Sequence, residues 1–169
     1  AGAVVVEEAP SHREVIHARL PITRAGGFLT TGSGALGWGL PLAVGRALAG
    51  GRDRVVCVVG DGSSMYSIQA LWSAARYRAE VTFVVLNNNG YEAVKQLGRR
   101  LSAPETVGTD IQGIDFVAVA GGLGCPAARV TGAAGLAAEL GAALAADGPF
   151  LLEVPVVDAA TAAYAPADA

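Results

Sequence analysis

The chain has 169 residues, 52% hydrophobic and 16% charged, with a net charge of −3, enough to form one domain that buries roughly 70% of its unfolded surface without disulfides. The acidic balance leaves no electrostatic footprint for nucleic acid, and no apolar run reaches the roughly 20 residues of a membrane span. No signal peptide is expected from the opening residues, and the two cysteines, Cys57 and Cys125, read as buried free thiols of a cytoplasmic protein.

Ala3 to Val6 reads as a first strand that ends at Glu7-Glu8-Ala9-Pro10. Ser11 and Glu14 form an S-x-x-E capping box, which predicts a helix from Ser11 to about Leu20. His12 and His17 are the only histidines. Five residues apart on a helix, they face different ways and cannot share a metal. Phe28 to Thr31 is a short strand candidate, and Gly32-Ser33-Gly34-Ala35-Leu36-Gly37 after it is a literal G-x-G-x-x-G. A dinucleotide site needs a full hydrophobic strand before that motif and an acid closing the next strand about 20 residues on. Here Asp53 precedes the next strand and Asp61 lies too far along. A non-catalytic nucleotide-binding module is therefore the distant alternative. Gly39 to Ala49 predicts a helix with Pro41 in its first turn, ended by Gly50-Gly51.

The most informative stretch runs from Val55 to Tyr91. An apolar run, Val55 to Val59, breaks at Gly60-Asp61-Gly62; an amphipathic helix is predicted from Ser63 to Tyr77; a second apolar run, Val81 to Leu86, breaks at Asn87-Asn88-Asn89-Gly90. This is one βαβ unit, and it implies a parallel sheet. Neighbouring parallel strands end at the same edge, so Asp61 and the asparagines meet where open α/β sheets bind ligands. A carboxylate beside an amide oxygen suits magnesium, which completes its shell with water and phosphate oxygens. Gly62, Ser63 and Ser64 open the following helix and can aim N–H groups and hydroxyls at an anion.

Beyond this unit, Tyr91 to Leu101 predicts a helix with Val94 and Leu97 on one face. Ser102 to Gly113 is a polar, irregular loop, and Asp115 is placed to cap a helix from Phe116 to Leu123. Pro126 to Val130 and Phe150 to Val156 read as the last strands, flanking an Ala-rich helix from about Gly135 to Ala146. The expected architecture is α/β, a three-layer parallel sheet of about six strands with helices on both faces, over residues 1–157. Residues 158–169 are expected to form a flexible tail.

Gly60-Asp61-Gly62 with Asn87-Asn88, and words such as YSIQALWSAARY, resemble the thiamine-diphosphate signature of the decarboxylase and acetolactate-synthase superfamily. The likeness is nearest to the benzoylformate decarboxylases and runs from about Val4 to Val157. It implies a C-terminal cofactor-binding domain, part of a longer enzyme, with thiamine diphosphate and Mg2+ as cofactors. It implies Asp61, the Asn88 side chain and the Gly90 carbonyl as metal ligands, with Gly60, Gly62, Ser63 and Tyr91 among the cofactor contacts. Leu36 falls where a bulky side chain bends the cofactor, or else simply packs in the core. Gly34 falls where a backbone carbonyl meets the pyrimidine. Ser11 lies at a phosphate-binding turn as well as in its capping box. Val94 and Leu97 line the substrate pocket in the resemblance, or form the buried face of an amphipathic helix. Asn89 stands where the nearest relatives often have glycine.

The implied reaction is decarboxylation of a 2-keto acid substrate, with an acetolactate synthase-like carboligase as the alternative. No residue of this chain matches the family's catalytic glutamate. That group belongs to a pyrimidine-binding domain of the same or another subunit, so the intact enzyme is expected to be a homodimer or homotetramer and this chain alone inactive.

Overall fold

In the computed structural model, residues 2–51, 53–103 and 107–157 are described; Pro104 and the expected tail, 158–169, lie outside them. The described residues form six strands: β1 (Ala3–Glu8), β2 (Phe28–Leu29), β3 (Arg54–Gly60), β4 (Val81–Asn87), β5 (Ala127–Arg129) and β6 (Phe150–Pro155). Their order is β2-β1-β3-β4-β6-β5, and every neighbouring pair is parallel.

Strict alternation along β3 sorts the two faces. Val55, Cys57 and Val59 point into a cluster with Phe83 and Leu151. Leu40, Val44, Leu71, Ala74 and Phe116 cover it from α2 (Gly39–Leu48), α4 (Ala70–Arg76) and α6 (Phe116–Gly122). Val56 and Val58 point the other way, toward Leu136, Leu140 and Ala143 of α7 (Leu136–Ala145). Helices therefore cover both faces, as expected. Both cysteines are free and buried, and burial pushes the Cys125 thiol up to about 12 and that of Cys57 further.

Three local expectations are corrected. The capping box does not form: Pro10–His12 make a 3₁₀ turn, and α1 (Arg13–Arg19) starts after His12 with no side-chain cap. Proline presets that turn, so Ser11 lies inside it, not ahead of the helix. The helix expected from Ser63 to Tyr77 is broken into α3 (Asp61–Ser64) and α4. Between them Tyr66, Ser67 and Ala70 donate three residues back, to Ser63, Ser64 and Ser67, and Ser64 Oγ donates to the Asp61 carbonyl at 2.7 Å, a back-bond that competes with helix continuation. Finally, β1 runs on through Glu7 and Glu8, which are 0% and 1% exposed. The cap of α6 is as expected: the Asp115 side chain accepts from the N–H groups of Val117 and Ala118.

Candidate functional site

The connection from β1 leads outward to β2, whereas that from β3 leads the opposite way to β4. The gap between β1 and β3 is the switch point at which open α/β sheets leave a crevice beyond their carboxyl ends. Three loops meet there and line one cleft. They contribute Ser11 after β1, then Gly60, Asp61, Gly62 and Ser63 after β3. After β4 come Asn88, Gly90, Tyr91 and Val94, and Leu36 joins from the glycine-rich loop. Gly34 and Leu97 are not among the lining residues: Gly34 is exposed at φ 71°, and Leu97 is 44% exposed.

Asp61 is 3% exposed. Its Oδ1 accepts from Gly62 N at 2.8 Å and its Oδ2 from Gly90 N at 3.0 Å. The same Gly90 N–H also reaches Asn88 Oδ1 at 3.2 Å. The carboxylate and the amide oxygen thus converge on one nitrogen. Burial pushes the Asp61 carboxyl above its ordinary range, opposed by the N–H groups of Gly62 and Gly90. Among the described residues no lysine, arginine or histidine pairs with it.

The three asparagines have separate tasks. Asn87 is turned away, its Nδ2 donating to Glu153 Oε1 at 2.8 Å and its Oδ1 accepting from Asn89 N at 2.9 Å. Asn88 is the one that faces the cleft. Asn89 holds φ 61°, the left-handed state that asparagine tolerates better than most residues and glycine best. The polar loop lies across this turn: Tyr91 N donates to Thr109 O at 2.8 Å and Ile111 N to Asn89 O at 3.0 Å. A Cβ on Gly62 would come within 2.5 Å of Tyr91 Cδ1, so only glycine lets that ring lie against the turn.

The helix α5 (Glu92–Arg100) corrects another expectation. Its buried positions are Glu92, Gln96 and Gly98, while Val94 and Leu97 are 46% and 44% exposed. The apolar pair is not a core face; Val94 stands at the cleft.

The partners of four polar residues escaped the sequence reading. Glu8 accepts from the backbone N–H groups of Gly37 and Gly39, which sets an acid against the end of the G-x-G-x-x-G loop and the start of α2, where a carboxylate opposes the approach of a pyrophosphate. Glu7 accepts from Ala9 N at 2.7 Å, Arg13 Nε at 2.9 Å and Thr30 Oγ1 at 2.9 Å. Its Oε2 also lies 3.5 Å from His17 Nε2. Asn87 and Glu153 are the other two. For the three glutamates the available signal was an acid inside or closing an apolar strand, since a charge there must be paired; for Asn87 it was only its place at the end of β4.

The donor set fits a hard divalent ion. It offers one carboxylate, one amide oxygen and the carbonyl of a glycine that a side chain could not replace, because a Cβ there would meet Thr109 O at 2.8 Å. Among the described residues no three His, Cys, Asp or Glu gather into a metal cage. A single carboxylate leaves room for anionic ligand oxygens to complete the shell.

Residues 10–154 match the family described as "Thiamine pyrophosphate enzyme, C-terminal TPP binding domain". Over 153 residues the chain is 40% identical to benzoylformate decarboxylase of Pseudomonas aeruginosa, covering 90% of this chain and 29% of that protein. It is 34% identical over 160 residues to the acetolactate synthase isozyme 2 large subunit of Escherichia coli, covering 92% of this chain and 29% of that one. The thiamine diphosphate-dependent 4-hydroxybenzoylformate decarboxylase of Rhodococcus jostii RHA1 superposes with a TM-score of 0.90 at 38% identity, over 95% of this chain and 30% of that structure. The chain thus spans just under a third of the length of the relatives it matches. Among the described residues no helix is long and apolar enough to cross a membrane.

Proposed function

The chain belongs to the thiamine pyrophosphate enzymes as their C-terminal cofactor-binding domain, and we propose that its cleft holds the diphosphate of that cofactor through one Mg2+ in an enzyme that decarboxylates an aromatic 2-keto acid. In this reading Asp61, the Asn88 side chain and the Gly90 carbonyl hold the ion, and the N–H groups and hydroxyl of Gly62 and Ser63 meet the phosphate oxygens. The observation that carries it is the convergence of Asp61 Oδ2 and Asn88 Oδ1 on Gly90 N, at 3.0 and 3.2 Å. When bound, thiamine diphosphate supplies an electron sink for the pair left behind as carbon dioxide departs. Leu36 and Tyr91 wall the cleft beside the anchor and fix the cofactor's orientation, the entropic part of the catalytic task. Ser11 stands at the same cleft, free of the capping duty, and offers its hydroxyl to the diphosphate. Gly34 lies outside the cleft lining and is proposed to meet the pyrimidine only from its loop. Val94 and Leu97 present apolar surface to the substrate side.

The proton-transferring glutamate is assigned to a pyrimidine-binding domain of the same or another subunit, and a site shared between subunits makes the working enzyme at least a dimer. Calorimetry with thiamine diphosphate, with and without Mg2+ and against NAD, tests the cofactor assignment: binding that needs the metal is expected, and binding of NAD alone would refute it. Product analysis of the full polypeptide with benzoylformate and pyruvate tests the reaction. The identity to acetolactate synthase favours a second reading, a carboligase, which would convert pyruvate to a joined product.

A further inference from the structure

Glu153 is 2% exposed on β6, and both its oxygens are engaged. Oε1 accepts from Asn87 Nδ2 at 2.8 Å and Oε2 from Arg129 Nε at 2.9 Å. Arg129 Nη2 continues to Asp115 Oδ1 at 3.0 Å, the carboxylate that also caps α6. On the other side, Asn87 Oδ1 accepts from Asn89 N at 2.9 Å, and Asn89 holds the left-handed turn between Asn88 and Gly90. A line of polar contacts therefore runs from Asp115 through Arg129, Glu153 and Asn87 into the loop that faces Asp61.

Hydrogen-bond logic gives this line a direction. An ionised carboxylate only accepts, so it decides which end of the Asn87 amide faces it. The NH2 group turns to Glu153, and the amide oxygen is left for the N–H of Asn89. Arg129 supplies the charge that a buried carboxylate must have nearby. We infer that Glu153 is a positioning residue for the metal loop: through the Asn87 amide it sets the turn that presents Asn88 and Gly90 to Asp61. This rests on the reading that the cleft takes a Mg2+-bridged diphosphate, and it concerns residues that touch neither.

The test is a donor–acceptor swap in the full polypeptide. Asn87→Asp sets two acceptors against each other. With Glu153→Gln, the amide oxygen at 153 can serve Arg129 or Asn87 but not both. In the double variant the amide at 153 donates to the carboxylate at 87 and accepts from Arg129, and that carboxylate still accepts from Asn89, so every group is paired again. Mg2+ is titrated calorimetrically in the presence of thiamine diphosphate, and melting temperature is recorded without either ligand.

Each single variant is expected to raise the Mg2+ needed for half-saturation by about tenfold to a hundredfold, the usual scale for residues behind metal ligands. The double variant is expected to return to within about threefold of the wild type, a coupling of the kind that contacting residues show. Singles that titrate like the wild type, or a double as weak as the weaker single, would overturn the inference. So would lowered melting temperatures with unchanged titrations, which mark a role in stability alone. If Asn87→Asp does not fold, Glu153→Gln against the double decides, and the double must bind Mg2+ more tightly. A wild-type protein that binds thiamine diphosphate without needing Mg2+ refutes the cleft reading and the relay together, whereas a metal-dependent wild type with indifferent variants refutes the relay alone.

Discussion

The carboxylate of Asp61 and the backbone nitrogen of Gly90 lie 3.0 Å apart although 29 residues separate them in the chain. This bond ties the turn after β3 to the turn after β4 and holds the oxygens of Asp61 and Asn88 near one another. Asp61→Asn would set an NH2 group against one of the two backbone N–H donors. The expected result is a loss of about 1–3 kcal/mol of stability by denaturant unfolding. Mg2+-dependent binding of thiamine diphosphate should fall by more than the roughly hundredfold usual for residues behind the ligands. Calorimetric binding equal to wild type would show that Asp61 is not a ligand.

The Tyr91 ring lies against Gly62 and meets Tyr66 edge-on at 6.4 Å. Gly62→Ala would force the ring aside, since the added carbon lands 2.5 Å from Cδ1, at an expected cost of about 1–3 kcal/mol. In a Tyr91→Ala background the obstacle is gone, and the same change should cost almost nothing. A double-mutant cycle by thermal or chemical unfolding reads the difference.

Glu8 gives a pH signature. Burial raises its carboxyl above the ordinary 4.5, with the N–H groups of Gly37 and Gly39 opposing and the charge of Glu7 adding to the rise. The folded state therefore binds the proton more readily than the unfolded chain does. Between its raised folded value and 4.5, lowering the pH stabilises the fold through this group, and the gain is complete below 4.5. Relative to Glu8→Gln, the wild type should gain melting temperature as pH falls through that window. A constant difference between the two proteins across that range would contradict the assignment.

Arg54 occupies the opposite end of β3 from Asp61. Its guanidinium donates to Thr82 Oγ1 at 2.7 Å, Ala146 O at 2.9 Å and Gly148 O at 2.8 Å. Arg54→Ala removes these partly buried, charge-assisted bonds and is expected to cost about 2–4 kcal/mol. The Mg2+ titration of the folded protein should stay at its wild-type value, because neither Arg54 nor these partners line the cleft. A shifted titration would mean that the two edges are coupled.

Much of this protein is readable without coordinates because the signals are local. The apolar run from Val55 to Val59, the helical character of the stretch before the next apolar run (though not its break after Ser64), the cap at Asp115 and the glycine- and asparagine-rich turns that close the two central strands all depend on neighbours in sequence. They determine a parallel α/β sheet and an oxygen-rich rim. The order of strands is not local: that β1 pairs with β3 and opens the crevice is decided by which apolar faces pack, not by either strand alone. The same holds for Glu7, Glu8 and Glu153. As residues in a string they read as strand ends or as one acid in an apolar run. Only the tertiary structure brings them the backbone N–H groups, guanidinium or amide that make a buried charge tolerable. Ser11 shows the converse: its capping pattern is complete in sequence, yet Pro10 and the turn it enforces place it elsewhere. Short-range patterns name the groups, and long-range packing decides which partner each one meets.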